Sequence, residues 1–301
     1  MKIGVLTFGY QQFNPSLPFT ANLGDNMQSI AVRLLLERLR IPKESTISIN
    51  RDDLANYSGP DAALIMNGVF YEHCFPLPPQ IQPIFIGFCT REDVILKNRD
   101  FFARNAPIGC RDNSTAACLR KHGIAAYVTG CLTMSIPERK HTESADKVVV
   151  VLGGRSEDGE SYFPSQVFRH MPSNYFDSMK FVYQRMPMTE YPISEKSCIQ
   201  VEAYARKLLN YYADHARLII TPLHHATSPC LGLGIPVILC REEMKFSFDY
   251  LAELLPVYTP ENFNQINWKP QVIEMGPIRQ KLEDLLSEKL SRIQPIPHGH
   301  A

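Results

Sequence analysis

Two adjacent histidines, His224 and His225, are the residues of this chain best suited to moving protons near neutral pH. They come just after Thr221 and Leu223, and residues 217–221 form an apolar run that predicts a buried strand. Ligands of an open α/β sheet bind outside the carboxyl ends of its strands. We therefore expect at least one histidine to act in chemistry and this turn to contact substrate. Alternatively, one histidine caps the following helix and the other is solvated, and neither has a chemical role.

Cationic side chains follow other predicted strands. Arg111 comes after the apolar residues 106–110 and just before a helix start at Asp112 or Asn113. Arginine can grip a carboxylate or phosphate through two parallel hydrogen bonds, so Arg111 is a candidate anion contact. A plain surface pair with Asp112 is the alternative. Further candidates follow the strands predicted at 147–152 and 235–240, and they are Gly154, Arg155, Arg241 and Lys245.

The first predicted strand leads into a helix through residues 22–26. Gly24 lets the backbone approach a ligand closely, and the helix start offers free N–H groups. We include Asn22, Gly24 and Asn26 among the candidate binding residues, with Asp25 as a candidate catalytic carboxylate. Simple capping of the helix by Asn22 or Asp25 would explain the same residues.

Each half of the chain alternates predicted strands with predicted helices, which favours an α/β fold with parallel sheets. The polar residues 137–146 have no periodicity and separate the two halves. We predict two Rossmann-like domains that face a cleft, at residues 1–137 and 146–301, although one larger sheet would give a similar pattern. The last amphipathic helix, predicted at 277–293, could pack back on the first domain.

The composition excludes several classes of protein. Residues are 45% hydrophobic and 21% charged, and 31 basic residues balance 31 acidic ones, which argues against a nucleic-acid-binding surface. No apolar run is long enough for a membrane span, and the first residues lack the features of a signal peptide. We therefore expect a cytoplasmic protein. The 8 cysteines lack CxxC spacing, so we expect free thiols and no metal site.

Four motifs occur in an order that resembles the polysaccharide pyruvyl transferase family. They are Asn-x-Gly-Asp-Asn at 22–26, Cys-Arg-Asp at 110–112, Thr-Gly-Cys-x-Thr at 129–133, and Leu-His ahead of Gly-Leu-Gly-Ile-Pro-Val-Ile at 232–238. The resemblance implies a fold like the B-type glycosyltransferases. It also implies transfer of a carboxyethylidene group from phosphoenolpyruvate to two hydroxyls of a sugar, which yields a cyclic ketal and phosphate.

The resemblance also implies roles for individual residues. Arg111 matches an anion-gripping arginine, His224 the proton-transfer histidine, and Asp25 a carboxylate that orients or deprotonates an acceptor hydroxyl, with His225 as a neighbour in the site. The partners implied are phosphoenolpyruvate, as donor substrate rather than cofactor, and a sugar acceptor in a cell-surface polysaccharide or its precursor. A lipid-linked acceptor would bring the protein to the inner membrane surface without an anchor.

One position departs from the family pattern, because Pro222 stands where the family usually has an arginine. Arg155, Arg241 or Lys245 could supply the missing anion contact, or the donor or the activity could differ. Two other functions remain open at this point. One is a nucleotide-sugar glycosyltransferase of the same architecture, and the other is a carbohydrate-binding relative without catalytic activity.

Overall fold

The structure is a computed structural model that describes residues 1–10, 20–140, 145–153, 163–188 and 190–293. Its strands are β1 Lys2–Thr7, β2 Thr20–Asn22, β3 Thr46–Asn50, β4 Ala62–Val69, β5 Ile81–Cys89, β6 Ile108–Cys110, β7 Ala126–Val128, β8 Lys147–Leu152, β9 Met179–Tyr183, β10 Arg185–Pro187, β11 Ala216–Thr221, β12 Val237–Cys240 and β13 Val257–Tyr258. Its α-helices are α1 Leu23–Arg38, α2 Glu92–Lys97, α3 Arg99–Arg104, α4 Asn113–Lys121, α5 Glu195–His215, α6 His224–Gly232, α7 Asp249–Leu254 and α8 Gly276–Ser291.

Two sheets carry the fold, and their strands run in the same relative order. The first is β3-β1-β4-β5-β6-β7 and the second, read from its other edge, is β9-β8-β11-β12-β13. All neighbouring strands within each sheet are parallel. Strand order reverses beside β1 in the first sheet and beside β8 in the second, and such switch points are where ligands bind in open α/β sheets. The predicted fold class, two Rossmann-like parallel sheets, is confirmed.

The sheets are buried because their strands are apolar and helices cover their faces. In β8, the residues from Val148 to Val151 are fully buried. One hydrophobic cluster contains Val5 and Leu35 from the first half together with Val149 and Leu209 from the second. The two sheets therefore share part of one core, and α1 packs against α5 at their junction.

A two-stranded antiparallel ribbon joins the halves at the carboxyl ends of both sheets. Its strands are β2 and β10, which pair Asn22 with Arg185. The Leu23 N–H at the start of α1 also donates to the carbonyl of Gln184 at 3.3 Å. The amino-terminal end of α1 is therefore fixed against the second sheet, although the helix belongs to the first.

The last helix, α8, contacts elements of both halves. Arg38 on α1 pairs with Glu283 at 3.0 Å, and Arg279 donates to the carbonyls of Gly232 at 2.8 Å and Ile136 at 3.3 Å. The two halves share one hydrophobic cluster, and this cluster does not show where one domain ends and the next begins. The domain boundaries at 137 and 146 therefore stay a prediction. Among the described residues, none of the helices is long and apolar enough to cross a bilayer.

Candidate functional site

The two histidines form the start of α6, just beyond the carboxyl end of β11. Leu223 is the N-cap residue, and His224 and His225 are the first two residues of the helix. Thr221 fixes this turn, because its hydroxyl donates to the Val151 carbonyl at 3.2 Å and accepts the Leu223 N–H at 3.2 Å. The amino-terminal end of a helix carries a partial positive charge and favours anions. The turn thus places two imidazoles and a helix start at the mouth of the second sheet.

A small cavity of about 180 Å³ opens in front of these histidines. Its walls come from strand ends of the second sheet and from the turn before α1, and the lining residues are Asn22, Gly153, Gln184, Arg185, Leu223, His224 and His225. In the described part of the chain, no carboxylate lines this cavity. Among the described residues, the groups that can carry charge on its walls are one guanidinium, which is always protonated, and two imidazoles, so the charge of these walls is positive.

Both imidazoles are held in the neutral form. Burial is the main cause that lowers the pKa of His224 well below its usual value, and the positive charge of Arg111 is the next. Burial, Arg111 and Arg51 together lower the pKa of His225 to about 3. The two rings are nearly perpendicular, with centroids 5.1 Å apart. A neutral His224 can accept a proton, but it must first gain one before it can act as an acid.

Asp25 lies beside the histidines in the first turn of α1. Its Oδ1 is 3.9 Å from Nδ1 of His225, and its side chain is largely buried. Burial raises the pKa of this carboxyl above its usual value, and the positive charges of Arg51 and Arg185 partly oppose that rise. Asn22, not Asp25, caps the helix, because its side-chain oxygen accepts the Gly24 N–H at 3.0 Å. Asp25 is therefore free of the capping role and faces the cleft.

Gly24 permits the close approach of the two halves. A Cβ atom at this position would lie 2.7 Å from the Cβ of His225 and 2.9 Å from the side-chain nitrogen of Gln184. Both distances are shorter than atoms of side chains tolerate. Asn26 supports the same turn, since its amide nitrogen donates to the Asn22 carbonyl at 3.2 Å. Glycine is thus required for packing here rather than for a positive φ.

A second, larger cavity of about 480 Å³ adjoins the first, and Asn22 and Arg185 line both. Its walls come from the carboxyl ends of β1, β3 and β4 in the first sheet, and the lining residues are Tyr10, Thr20, Asn22, Asp25, Arg51, Asp52, Tyr71, Glu72, His73, Arg91 and Arg185. Asp25 lines this cavity and also contacts His225 of the smaller one. The two cavities therefore meet at Asp25, Asn22 and Arg185.

Arg51 and Asp52 form a buried ion pair in the larger cavity, 2.8 Å apart. Asp52 also accepts the Tyr10 N–H at 2.8 Å, and the Nε2 atom of His73 lies 3.7 Å from it. Burial alone would raise the pKa of Asp52, but contacts with His73 and Arg51 hold it below its usual value. The guanidinium of Arg51 also lies 5.3 Å from the ring centroid of Tyr71. The wall is thus an ordered set of charged and polar groups.

Three other candidate anion residues, Arg111, Arg241 and Lys245, line neither cavity. Arg111 is only 3% exposed, and its Nε atom is 3.8 Å from Asp112. It lies behind the histidines, where its charge lowers the pKa values of both. Arg241 donates to the carbonyl of Pro222 and packs over the Phe248 ring at 3.8 Å. Lys245 pairs with Glu243 at 3.4 Å, whereas Gly154 and Arg155 lie outside the described residues.

Several residues that line the cavities were not among the predicted candidates. Gln184 and Arg185 follow β9, so the rule used for Arg111, which takes cationic and polar residues after a strand, would have found them. Arg51 and Asp52 follow β3, which was not predicted although Thr46–Asn50 alternates polar and apolar residues. Tyr71 and His73 follow β4, and they would have been found only if aromatic residues after a strand had also been taken as candidates. In each case, the position of the residue after a strand was the signal that could have identified it.

Metal-binding atoms also come together near the histidines. The Cys131 sulfur and one ring nitrogen each of His224 and His225 lie within 4.8 Å of one another, and Glu92, Cys118 and His122 form a similar group on the surface. Cysteine and histidine are the ligands that zinc prefers. Burial raises the pKa of the Cys131 thiol, and Arg111 adds a positive charge that opposes a dication nearby. We therefore propose that this site works without a metal ion.

Solved structures similar to this chain include an uncharacterised protein of Klebsiella pneumoniae, with 14% identity over 83% of this chain and 88% of the other and a TM-score of 0.43. A UDP-N-acetylglucosamine 2-epimerase has 12% identity over 100% of both chains and a TM-score of 0.43, and S. aureus MnaA with UDP has 11% identity over 100% of both chains and a TM-score of 0.47.

No curated protein matches the chain significantly. The sequence profile of polysaccharide pyruvyl transferases, in contrast, matches residues 22–243, which extend from the cap of α1 to the residues just after β12. The matched segment contains Asp25 and Asn22 from one half and both histidines from the other, so it covers the point where the two cavities meet. The chain therefore belongs to the polysaccharide pyruvyl transferase family.

Proposed function

We propose that this protein transfers the carboxyethylidene group of phosphoenolpyruvate to two hydroxyls of a sugar and releases inorganic phosphate. The observation that carries the proposal is the pairing of the two cavities. A small cavity with Arg185, two imidazoles and a helix start adjoins a larger one, and Asp25 lies where they meet. A small anionic donor and a larger acceptor would meet at that carboxylate.

The donor is assigned to the smaller cavity on the basis of charge. Phosphoenolpyruvate carries a carboxylate and a phosphate, which require positive groups on the walls that hold them. Arg185 supplies a guanidinium on the wall, and the start of α6 supplies backbone N–H groups. Arg111 and Arg241 add positive charge from behind, since both lower the pKa of His224. Arg111 thus favours binding of the donor through its positive charge, although it does not line the cavity.

We propose that His224 becomes protonated when the donor binds. In the free protein, burial and the neighbouring cations keep this imidazole neutral. A bound anion offsets those cations and raises the pKa of His224, so that the ring takes up a proton as the donor binds. The protonated ring then gives that proton to the methylene carbon of the donor. This makes the central donor carbon electron-poor and open to attack.

The remaining steps balance with Asp25 as the first base. The first sugar oxygen bonds to the central carbon of the donor while Asp25 takes the hydroxyl proton. The bond from that carbon to the phosphate oxygen then breaks, and its electron pair leaves with phosphate. The second sugar oxygen bonds to the same carbon, and its proton passes to the now neutral His224. Two protons leave the hydroxyls: one replaces the proton that His224 gave to the new methyl group, and the other passes from Asp25 to the departing phosphate, so both side chains return to their state in the donor complex.

The test is release of phosphate from phosphoenolpyruvate in the presence of a panel of free and lipid-linked sugars. We expect phosphate release that depends on the acceptor, with a ketal product of matching mass. UDP-sugars serve as the alternative donors in parallel reactions. Transfer from a UDP-sugar without phosphate release would replace this proposal by a glycosyltransferase, and binding without turnover of either donor would leave a carbohydrate-binding protein. We propose the cytoplasm as the location of the reaction.

A further inference from the structure

The larger cavity differs from the smaller one in its charge balance. Three carboxylates, of Asp25, Asp52 and Glu72, line it together with three guanidiniums, of Arg51, Arg91 and Arg185. The part of its wall that the described residues form is therefore electrically balanced, whereas the described walls of the smaller cavity have no carboxylate. A balanced polar cavity suits a neutral ligand that both donates and accepts hydrogen bonds, because an anion or a cation would meet like charges on the wall.

We infer that the larger cavity is the subsite for a neutral sugar ring, and that His73 and Tyr71 contact this ring. The identification of the sugar as the acceptor rests on the proposed function, but binding of a neutral sugar here does not. Hydroxyl groups are both donors and acceptors, and a sugar ring also has faces of C–H groups that pack on aromatic side chains. The cavity provides partners for both kinds of surface.

His73 adds an ordered imidazole to the charged groups of the wall. Its Nε2 atom lies 3.7 Å from Oδ1 of Asp52 and is buried against it, so this atom has no surface open to the cavity. Asp52 itself is fixed by Arg51 and by the Tyr10 N–H. The imidazole is therefore held in place by its neighbours, and the 26% of its side-chain surface that stays exposed is the part that a ligand in the cavity can contact.

Tyr71 provides the apolar contact. It is 41% exposed although it lines the cavity, so part of its ring is available to a ligand. The ring of His73 lies nearly parallel to it, with an interplanar angle of 21° and centroids 5.7 Å apart. Arg51 lies 5.3 Å from the Tyr71 centroid and fixes its orientation. Together the two rings form a surface, here called the Tyr71–His73 platform, on which a sugar ring can pack.

The position of the platform fits a second reactant. Asp25 lines the same cavity, and Asn22 and Arg185 separate it from the smaller one. A sugar on the platform would therefore have hydroxyls within the cavity that contains the proposed base. The cavity, at about 480 Å³ against about 180 Å³, also offers room for the larger reactant.

The test measures sugar binding directly, without the donor. Saturation-transfer NMR with glucose, galactose, mannose and N-acetylmannosamine should show transfer to ring protons of at least one sugar in the unmodified protein. His73→Ala and Tyr71→Ala should each weaken that sugar's binding by about tenfold, equivalent to about 1.4 kcal/mol. Tyr71→Phe keeps the ring and should bind normally, which guards against loss of folding in the alanine variant.

Tyr204→Ala is the matched control. Tyr204 is 52% exposed on α5, outside both cavities, and it has a similar cation contact, with Lys207 at 5.3 Å. This variant should bind the sugar normally. The inference is overturned if no sugar of the panel binds, if both platform variants bind like the unmodified protein, or if glucuronate binds more tightly than glucose. Thermal stabilisation by phosphoenolpyruvate, measured on the same variants, should persist and so separates failure of this subsite from failure of the proposed function.

Discussion

The two cavities arise from the same topology but differ in what they can bind. Each lies at the carboxyl ends of a parallel sheet, near the point where strand order reverses. The second sheet presents two imidazoles and no described carboxylate, whereas the first presents Asp52 and Arg51 as a compensated pair. Topology therefore decides where a site forms, and the few residues after each strand decide its charge and its ligand.

The contact between the two cavities depends on short-range packing rather than on either sheet. The ribbon of β2 and β10 pairs Asn22 with Arg185, and both residues line both cavities. Gly24 then lets α1 approach His225. A substitution at this junction should affect both cavities, whereas substitutions deeper in one cavity should affect only one ligand. The predictions below test that separation.

The largest effect is expected at His224. His224→Gln removes the proposed proton-transfer group, so turnover should fall by about 10²- to 10⁴-fold, the usual range for acid–base assistance. Sugar binding in the larger cavity should not change. His225→Gln should lose less, because its ring contacts Asp25 rather than carrying the proton. Initial rates of phosphate release check both variants, and a larger loss at His225 would transfer the role to that residue.

Asp25→Asn should separate activity from stability. Turnover should fall by about 10²-fold because the proposed base is lost. The pKa of Asp25 is raised by burial, so its ionised form destabilises the fold at neutral pH, and a neutral side chain should raise the melting temperature. This gain should shrink as pH falls and the carboxyl of the unmodified protein takes up its proton. Full activity of Asp25→Asn would show that the carboxylate only supports the turn.

Arg185→Gln should weaken donor binding, and because Arg185 lines both cavities it should also affect sugar binding. Loss of a hydrogen bond to a charged group costs about 1.5–3 kcal/mol, which corresponds to about 10- to 150-fold in the dissociation constant of phosphoenolpyruvate. Arg111→Lys keeps the charge behind the histidines and should cost less than Arg185→Gln. Calorimetric titration with phosphoenolpyruvate measures both. A greater loss in Arg111→Lys would mean that the buried guanidinium touches the donor directly.

The histidines should also make the fold sensitive to acid. The pKa of His225 is lowered to about 3 by burial and by Arg111 and Arg51, while in the unfolded chain it is near 6.5. Between those values the unfolded chain binds a proton that the native protein does not, so the free energy of unfolding falls as pH decreases through this window. His225→Gln should flatten this dependence in urea titrations. An unchanged slope would mean that His225 is solvated in solution.

Much of this architecture could be predicted because long apolar and amphipathic patterns determine it. The strand at Lys147–Leu152 has the predicted bounds, and the last helix, predicted at 277–293, is α8 at Gly276–Ser291. The ribbon strands β2 and β10 were not predicted, since each has three residues and no periodicity that a sequence can reveal.

The site was predictable only where its residues follow a recognised strand. His224 and Asp25 satisfied that condition, and His224 lines the smaller cavity while Asp25 lies where the two cavities meet. Arg111 satisfied it as well, but side-chain packing placed its guanidinium behind the histidines, where it is 3% exposed. Burial of a long side chain depends on neighbours from distant parts of the sequence, and no local pattern encodes it. Arg185 follows β9 and was within reach of the same rule, whereas its place at the junction depends on its pairing with Asn22 across the ribbon.

The smallest effect is expected for Pro222→Arg, which restores the residue that the family usually has. Arg241 already donates to the Pro222 carbonyl and lies over the Phe248 ring, so its guanidinium occupies space next to this position. A second arginine would meet like charge in a buried turn. We therefore expect Pro222→Arg to weaken phosphoenolpyruvate binding by roughly twofold to fivefold, within the modest range of most single substitutions.

A double-mutant cycle sharpens this test. Arg241→Ala should weaken the donor by itself, and adding Pro222→Arg to it should restore binding, because the new guanidinium then fills a vacated place. The coupling between the two positions, read from dissociation constants of phosphoenolpyruvate, should therefore be strongly non-additive. Tighter binding in Pro222→Arg alone would contradict this account. It would show that the anion pocket beside Leu223 is empty, and that Arg241 serves only to hold the turn.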